Sequence, residues 1–366
     1  MSLKKIEGKV YSGKRLTPED ALTLFYSDDI FTIGRLASHA AYRKNGDNVY
    51  FVQNRHINPT NICVNRCKFC AFSRSKGEKG AYELTIDEII KKLHSTNPPL
   101  PPFSKGGMGG FFKEVHIVGG LHPDWQFDFY LEMLRQIKKA FPHIHIKAFT
   151  AVEIDYFSRI SGLSLTDALK TLKNAGLDSM PGGGAEIFNK RVRNKICPEK
   201  IDGGRWLEVM EKAHRIGIKS NATMLYGHIE TYKHRVEHML KLRELQDRTG
   251  GFQAFIPLSF HSRNTRINGG GYTSGIDDIK TVAISRLFLD NFTHIKAYWV
   301  MLGEKIAQLA LLYGADDLDG TIIEEKITHS AGALSGKAMT RDELINLIKK
   351  AGKNPVERDS FYRPCS

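Results

Sequence analysis

The sequence predicts an α/β fold, and within that class a closed (β/α) barrel of the TIM type. Short apolar runs of strand length alternate with longer amphipathic runs of helix length from about residue 49 onward. This alternation is typical of parallel strands joined by crossover helices. Seven such units, with a weaker eighth, favour a closed barrel, and the lack of a G-x-G-x-x-G after the first strand disfavours a dinucleotide-binding fold.

The elements of the predicted barrel follow one another in a regular order. The predicted strands cover residues 49–57, 114–118, 145–149, 177–180, 218–224, 252–258 and 294–300, with a weaker strand at 310–314. The predicted helices cover residues 85–94, 127–140, 164–175, 206–216, 233–246 and 279–291. Residues 97–110 are rich in proline and glycine, which predicts an inserted loop without catalytic duty.

Helices are also predicted outside the barrel. Thr17 suits an N-cap and Pro18 the first helical position, and a second amphipathic stretch covers residues 29–43. We therefore expect three parts. They are an N-terminal helical segment (1–48), the barrel (49–315, with 96–112 as an inserted loop) and a C-terminal helical extension (316–366).

Composition and charge limit the classes of function. The net charge of +13 comes from Lys and Arg spread along all 366 residues without a block of five, which favours anionic small molecules over nucleic acid as partners. No run of about 18 apolar residues is present to cross a membrane. The start of the sequence lacks the apolar region of a secretory signal, so we expect a cytoplasmic protein without a membrane partner.

Three of the five cysteines form a compact motif. Cys63, Cys67 and Cys70 have the spacing C-x3-C-x2-C directly after the first predicted strand, at the end of the barrel where such folds carry active sites. Thiolates are the soft ligands that iron–sulfur clusters need, and three ligands would leave one iron open for a small molecule. The alternatives are zinc, with His56 as a possible fourth ligand, or thiols without a metal.

The motif, with Phe69 before its last cysteine, resembles the signature of the radical S-adenosylmethionine (SAM) superfamily. The resemblance implies a barrel of the radical SAM kind with a [4Fe–4S] cluster on Cys63, Cys67 and Cys70. SAM would bind the open iron, and one electron would cleave it to methionine and a 5′-deoxyadenosyl radical. Further blocks resemble the superfamily's SAM-binding elements; their residues are Gly119 and Gly120 for the methionine amino group, Glu230 near adenine and ribose, and Ile256 for adenine.

Longer blocks, among them HINPTNICVNRCKFCAFSR, TAVEI and YGHIET, resemble the aminofutalosine synthases of menaquinone biosynthesis. The resemblance implies that SAM is consumed as a co-substrate. Its 5′-deoxyadenosyl radical would add to 3-[(1-carboxyvinyl)oxy]benzoate, with aryl migration and decarboxylation, to give 6-amino-6-deoxyfutalosine. A reductant protein such as flavodoxin or ferredoxin would supply the electron. The alternatives are a dehypoxanthine futalosine cyclase, a deazaflavin (FO) synthase-like enzyme, or a non-catalytic iron–sulfur or zinc protein.

The remaining candidate residues follow from position near strand ends. A substrate with two carboxylates needs cationic or amide donors, for which Arg74, Arg263 and Asn264 are candidates. Proton movements are predicted for His122 and His261. Five further residues are predicted to contact SAM, namely Glu153, Gly182, Gly183, Gly184 and Glu186. For Glu186, an equal alternative is that it complements the dipole of a following helix.

Overall fold

A computed structural model describes residues 3–95, 112–267, 273–336 and 338–365. Its strands are β1 (Asn48–Val52), β2 (Asn54–Ile57), β3 (Glu114–Ile117), β4 (His145–Ala148), β5 (Ser179–Met180), β6 (Lys219–Tyr226), β7 (Phe252–Ser259), β8 (His294–Ile295), β9 (Asp317–Gly320) and β10 (Asn354–Glu357). Its helices are α1 (Leu3–Tyr11), α2 (Pro18–Tyr26), α3 (Ile30–Asn45), α4 (Ile86–His94), α5 (Phe127–Ala140), α6 (Ala151–Ser161), α7 (Leu165–Ala175), α8 (Lys190–Ile196), α9 (Gly203–Arg215), α10 (Tyr232–Thr249), α11 (Gly275–Phe288), α12 (Trp299–Leu302), α13 (Glu304–Ala310), α14 (Ile327–Ser330) and α15 (Arg341–Lys350).

The centre of the molecule is a curled sheet of seven parallel strands in the order β2-β3-β4-β5-β6-β7-β8. Sequential order with parallel pairing is what repeated strand–helix units produce, because each crossover returns the chain beside the preceding strand. The predicted TIM-type α/β fold is therefore confirmed.

Residues 317–323, which begin with strand β9, lie at the seam between the first and last strands of this sheet. Asp317 forms a parallel bridge to Lys296 beyond β8, and Ile323 forms a parallel bridge to Arg55 in β2. The amide of His56 also donates to the carbonyl oxygen of Ile323 at 3.0 Å. The seam is thus bridged at single residues instead of by a continuous ladder.

The predicted first strand consists of two strands in different sheets. Residues 48–52 form β1, which lies in the middle of a three-stranded parallel sheet between β10 and β9. Residues 54–57 form β2 and begin the barrel. Residues 316–366 therefore contain strands as well as the helices α14 and α15.

Local sequence explains where the main helices begin. Thr17, Thr85 and Thr150 each accept a hydrogen bond from the backbone three residues later, and an acidic side chain returns the bond in a capping box. Helices α5 and α9 match the predicted amphipathic stretches within three residues at each end. Their apolar faces cover the outside of the barrel.

Further parts of the predicted secondary structure differ from the structure. The weak eighth strand at 310–314 is wrong, because Leu311–Tyr313 form a 3₁₀ turn after α13. Short apolar runs do not distinguish buried strand from helix. The strand predicted at 294–300 ends at Ile295, and α6 and α8 were not predicted. The predicted loop at 97–110 lies outside the described residues.

A single apolar core joins all three parts of the chain. It contains Ile6 from α1, Leu36 from α3, Trp206 from α9 and Ile348 from α15. Among the described residues, no helix is both long and apolar enough to cross a bilayer.

Candidate active site

A cavity with a volume of about 310 Å³ opens at the carboxyl ends of the barrel strands. This volume is at the lower end of the range for ligand pockets. Its walls are largely apolar, with Leu121, Leu225, Leu258 and Phe260 among them, and polar side chains lie at the depth of the strands. The carboxyl end of a parallel barrel is where active sites form, because the loops that follow every strand meet there.

The cysteine loop lies along one side of this cavity, and Cys63, Cys67 and Cys70 all line it. Three backbone hydrogen bonds hold the loop. The amide of Cys63 donates to the carbonyl oxygen of Arg74 at 3.0 Å, that of Val64 to Leu121 at 2.9 Å, and that of Lys68 to Ile196 at 2.8 Å. The three thiols are therefore positioned by the loop after β3 and the end of α8 as well as by their own segment.

The chemistry of the thiols suits a metal cluster. Burial raises the pKa of Cys63, and it raises the pKa of Cys67 to about 12, although Lys200 lowers the latter. Buried thiols of this kind stay protonated until a metal displaces the proton. Among the described residues, no three Cys, His, Asp or Glu side chains converge closely enough to hold one metal ion. Three thiols on one loop at one cavity are the ligand set that a [4Fe–4S] cluster with an open iron needs, whereas a structural zinc ion takes four ligands.

Gly119 and Gly120 pack against the cysteine loop. A Cβ atom on Gly120 would overlap the carbonyl oxygen of Ile62, and one on Gly119 would lie 3.1 Å from the carbonyl oxygen of Thr60. The amide of Gly120 also donates to Thr60 at 2.9 Å. Both glycines line the cavity, but the structure adds a reason for them that the sequence did not indicate, namely close contact with the loop that carries the cysteines.

Glu153 connects this glycine turn to helix α6. Its Oε1 accepts a hydrogen bond from the amide of Gly119 at 3.2 Å, and its Oε2 accepts one from the amide of Thr150 at 2.7 Å. Burial raises the pKa of Glu153 to about 7, while these hydrogen bonds oppose the shift. The side chain lines the cavity as predicted for a SAM contact, and it also fixes the position of Gly119.

The triple glycine and Glu186 follow β5 and also line the cavity. Gly182 approaches β6 closely, because a Cβ there would lie 2.8 Å from the Ala222 carbonyl carbon. Gly184 has a φ of 85°, a left-handed conformation that favours glycine. Glu186 forms an ion pair with Lys200, whose Nζ lies 4.9 Å from the centre of the Phe69 ring. Glu186 does not lie in the first turn of a helix, since α8 begins at Lys190.

Most of the residues predicted from sequence line this one cavity. They are Cys63, Cys67, Phe69, Cys70, Gly119, Gly120, Glu153, Gly182, Gly183, Gly184, Glu186, Ile256 and His261. The five others, His122, Arg74, Arg263, Asn264 and Glu230, do not.

The two histidines predicted to move protons differ in their surroundings. His261 lines the cavity, and its Nε2 lies 2.9 Å from the carbonyl oxygen of Met301. His122 is buried outside the cavity, where its ring stacks on Trp125 with centroids 4.5 Å apart. His122 Nε2 lies 2.7 Å from a carboxylate oxygen of Glu83, and the residue does not line the cavity.

The predicted carboxylate ligands lie on the outside of the site. The guanidinium of Arg74 donates to the carbonyl oxygens of Ala71 and Ser73, both at 2.9 Å, and so supports the end of the cysteine loop. Arg263 and Asn264 are exposed, and Asn264 Nδ2 donates to the carbonyl oxygen of Ser330 at 3.1 Å. Their position after β7 does not bring them into the cavity because the loop turns toward α14.

Glu230 closes the turn after β6. Its carboxylate accepts hydrogen bonds from the amides of Gly227 at 2.7 Å and His228 at 2.9 Å, and Arg235 Nε donates to it at 2.9 Å. Hydrogen bonds from the protein itself therefore occupy the carboxylate. Glu230 therefore shapes the turn without facing the cavity.

Several cavity residues were not predicted from sequence. They are His56, Asn65, His116, Lys147, Lys200, Asn221, Thr223, Tyr298, Asp319 and Glu325. Many lie within strands, where a polar side chain at an interior position is the available signal. Position after a predicted strand, the signal used for the other candidates, does not identify polar residues within a strand.

The fold and the cysteine site define the class of protein, and comparison with known proteins gives the same class. Residues 57–242 match the protein family described as "Radical SAM superfamily", and residues 249–366 match the family described as "CofH/MqnC C-terminal region". The chain belongs to the radical SAM superfamily, and it is a radical SAM enzyme that uses a [4Fe–4S] cluster and SAM. Cys63, Cys67 and Cys70 are the residues that would hold the cluster.

Two curated relatives and one solved structure illustrate the similarity. The aminodeoxyfutalosine synthase of Thermus thermophilus is 46% identical over 98% of this chain and 94% of its own length. A 5-amino-6-(D-ribitylamino)uracil--L-tyrosine 4-hydroxyphenyl transferase of Methanococcoides burtonii is 42% identical over 98% of each chain. The crystal structure of methylornithine synthase (PylB) matches with a TM-score of 0.73 at 17% identity, over 96% of this chain and 97% of that one, and so supports the fold alone.

Proposed function

We propose that this enzyme is an aminodeoxyfutalosine synthase. It would join the 5′-deoxyadenosyl group of SAM to 3-[(1-carboxyvinyl)oxy]benzoate with aryl migration and decarboxylation, giving 6-amino-6-deoxyfutalosine in menaquinone biosynthesis. The observation that carries the proposal is the 46% identity to the Thermus thermophilus synthase over nearly the whole of both chains. Residues from both family regions line the one cavity, with Cys63 in the first and His261 in the second.

The bound cluster and SAM supply the chemistry of radical generation, and the protein supplies position and exclusion of water. Gly119 and Gly120 offer bare backbone at the cavity wall beside the cysteine loop. Gly182, Gly183 and Gly184 also line the cavity, where they pack closely against neighbouring protein groups such as Ala222 and Val152. Apolar walls, including Leu225 and Phe260, keep water from a reactive primary radical.

A second candidate function follows from the archaeal relatives. The Methanococcoides burtonii transferase is 42% identical over 98% of this chain, only a little less than the synthase. The name of that enzyme pairs an aminouracil with L-tyrosine. Such a substrate pair would also use a cavity with apolar walls and polar groups at its base, so the shape of the cavity does not separate the two activities.

We also propose that the enzyme is cytoplasmic and receives its electron from a flavodoxin or ferredoxin. Lys68 lies inside the cysteine motif, and its side chain is exposed. The amide of Arg266, also exposed, donates to the carbonyl oxygen of Lys68. Cations at this position are complementary to an acidic electron-transfer protein.

The test is an anaerobic assay with reconstituted enzyme, SAM and a reductant. We expect 3-[(1-carboxyvinyl)oxy]benzoate to give an adenosylated product detected by mass spectrometry. The parallel reaction contains L-tyrosine and 5-amino-6-(D-ribitylamino)uracil in place of the benzoate. Product in the second reaction alone would establish the transferase, and free 5′-deoxyadenosine without an adenosylated product from the benzoate would reject the synthase.

A further inference from the structure

Two polar side chains deep in the barrel lack hydrogen-bond partners among the described residues. His56 on β2 is 5% exposed and Asn221 on β6 is 4% exposed, and both line the cavity. Neither His56 Nε2 nor the acceptor Asn221 Oδ1 has a hydrogen-bond partner within the described part of the chain. A buried polar group without a partner is costly, so these atoms point to a ligand that completes them.

A second histidine lies beside the first. His116 on β3 is the in-register neighbour of His56, and the two ring centroids are 4.5 Å apart. His116 also lines the cavity. It precedes Gly119 by three residues, which places it roughly 10 Å deeper along the strand direction than the glycine turn. The histidine pair therefore forms the base of the cavity, below the level of the cysteine loop.

The charged side chains around this base already have partners. The ion pairs are Lys147–Glu114 at 2.7 Å, Lys296–Asp319 at 3.2 Å and His329–Glu325 at 3.1 Å. Burial lowers the pKa of both His56 and His116, so the two imidazoles are neutral and each carries one N–H donor. The imidazoles and the Asn221 amide, which can present either end, are thus among the uncharged groups that a ligand could bind.

We propose that His56, His116 and Asn221 form the subsite that binds the ring carboxylate of the aromatic substrate. This inference rests on the proposed synthase function and assigns residues to its substrate. The walls above the base are apolar, with Leu225, Leu258 and other hydrophobic side chains, and so accommodate an aryl ring. A carboxylate accepts several hydrogen bonds at once, which matches donors converging from β2, β3 and β6.

The orientation follows from where the reaction occurs. The vinyl group of 3-[(1-carboxyvinyl)oxy]benzoate must face the mouth of the barrel, where the cysteines and the glycine turn lie. The ring carboxylate is at the other end of the molecule and so faces the base. The three residues would then determine specificity without contacting the reacting carbon.

The experiment compares two substrates in wild-type enzyme and four variants. The second substrate is the same enol ether without the ring carboxylate, (1-carboxyvinyl)oxybenzene. We expect wild-type enzyme to prefer the benzoate in kcat/KM by roughly 10- to 100-fold, the range for a hydrogen-bonded charge. His56→Leu and Asn221→Leu should lose most of this preference, because kcat/KM should fall more for the benzoate than for the phenyl ether when the unpartnered polar atoms are removed.

His56→Gln, which keeps a donor, should restore part of the preference. His143→Leu is the matched control, since His143 is exposed and remote from the cavity. Thermal unfolding, iron content and SAM binding show that each variant is folded and loaded. If wild type is active and both leucine variants keep its preference for the ring carboxylate, the inference is overturned and the proposed function stays in place.

A binding measurement separates failure of the subsite from failure of the function. Calorimetry on reconstituted enzyme with SAM, without reductant, would compare 3-(carboxymethoxy)benzoate with phenoxyacetate, neither of which can react by addition. If no adenosylated product forms but tighter binding of the benzoate is lost in His56→Leu, the synthase assignment fails and the subsite stands. Equal binding of both probes by wild type would overturn the subsite.

Discussion

The ammonium group of Lys200 lies 2.5 Å from Glu186 Oε1 at the wall of the cavity, where Glu186 is buried and the side chain of Lys200 is 15% exposed. Lys200 follows α8, whose last residue also accepts a hydrogen bond from the cysteine loop. Although burial lowers the pKa of Lys200, the carboxylate of Glu186 more than offsets this effect, so the lysine is charged. The pair links the triple-glycine segment to the segment that holds Lys68.

Breaking this ion pair should destabilise the protein more than removing both partners. Glu186→Gln leaves a buried ammonium without its counter-ion, and we expect the free energy of unfolding to fall by roughly 3 kcal/mol. Glu186→Leu with Lys200→Met should lose less than the sum of the single changes, since no charge stays buried. Urea unfolding of the cluster-free protein under reducing conditions measures the free energy of unfolding of each variant. A double variant whose loss equals the sum of the two single losses would contradict the prediction.

Replacement of any one cluster cysteine should abolish cluster assembly. Cys63→Ser, Cys67→Ser or Cys70→Ser should lower bound iron after reconstitution well below the roughly four ions of a [4Fe–4S] cluster. The brown absorption and SAM cleavage should disappear with the iron. Cys197→Ala and Cys365→Ala are the controls, because neither thiol lines the cavity. Full iron content in a Cys67→Ser protein would exclude the assigned ligand set.

Gly120→Ala should damage the site through the cysteine loop. The added Cβ would overlap the backbone of Ile62, which cannot move without shifting Cys63. We expect a loss of roughly 1–3 kcal/mol in the free energy of unfolding, typical of overpacking, together with weaker cluster retention. Gly8→Ala on α1 is the control, since no heavy atom lies within 4 Å of its Cβ position. Equal stability and iron content in the two variants would contradict the packing argument.

Glu153 should make stability depend on pH in a known direction. Burial raises its pKa from 4.5 to about 7 in the folded state, so between these values the folded protein binds a proton that the unfolded chain does not. Stability contributed by Glu153 therefore falls as pH rises through this window. The free energy of unfolding of wild type relative to that of Glu153→Gln should therefore fall from pH 4.5 to 7, as measured by unfolding at several pH values. A difference that grows over this range would contradict the raised pKa.

Charge reversal near the cysteine loop should slow reduction by a protein donor. Lys68→Glu and Arg266→Glu should each slow reduction by an acidic flavodoxin by roughly 10-fold at low salt. The rate of reduction by dithionite should stay within about 2-fold of the wild-type rate, because a small reductant needs no docking surface. Lys170→Glu on α7 serves as the remote control. An equal effect on both reductants would indicate damage to the cluster instead.

The parts of the fold that repeat in the sequence were predictable. The strand–helix alternation and the threonine caps specify local structure, so the parallel order of the sheet followed from them. Residues 49–57 form one apolar run, however, and the sequence does not show that β1 and β2 belong to different sheets. That division depends on β9 and β10, which pair with β1 from more than 260 residues away.

The candidate site was predictable where a motif demands particular residues. Packing alone seldom requires three cysteines at close spacing, and the structure brings all three to one cavity. Arg74 shows the limit of reasoning from position, because its guanidinium folds back onto carbonyl oxygens of its own loop. His116 shows the opposite limit, since a histidine in a strand gives no sign of facing inward until its neighbours are known.

The seam of the barrel has a consequence for how the enzyme matures. The first barrel strand, which leads into the cysteine loop, gains its second neighbour only when residues 317–323 arrive. During synthesis, the free edge of β2 would stay open until nearly nine-tenths of the chain has been made, and open edges invite aggregation. Iron delivery to a stable site would therefore come after translation, and a chain shortened to 315 residues should be recovered in aggregates without its cluster.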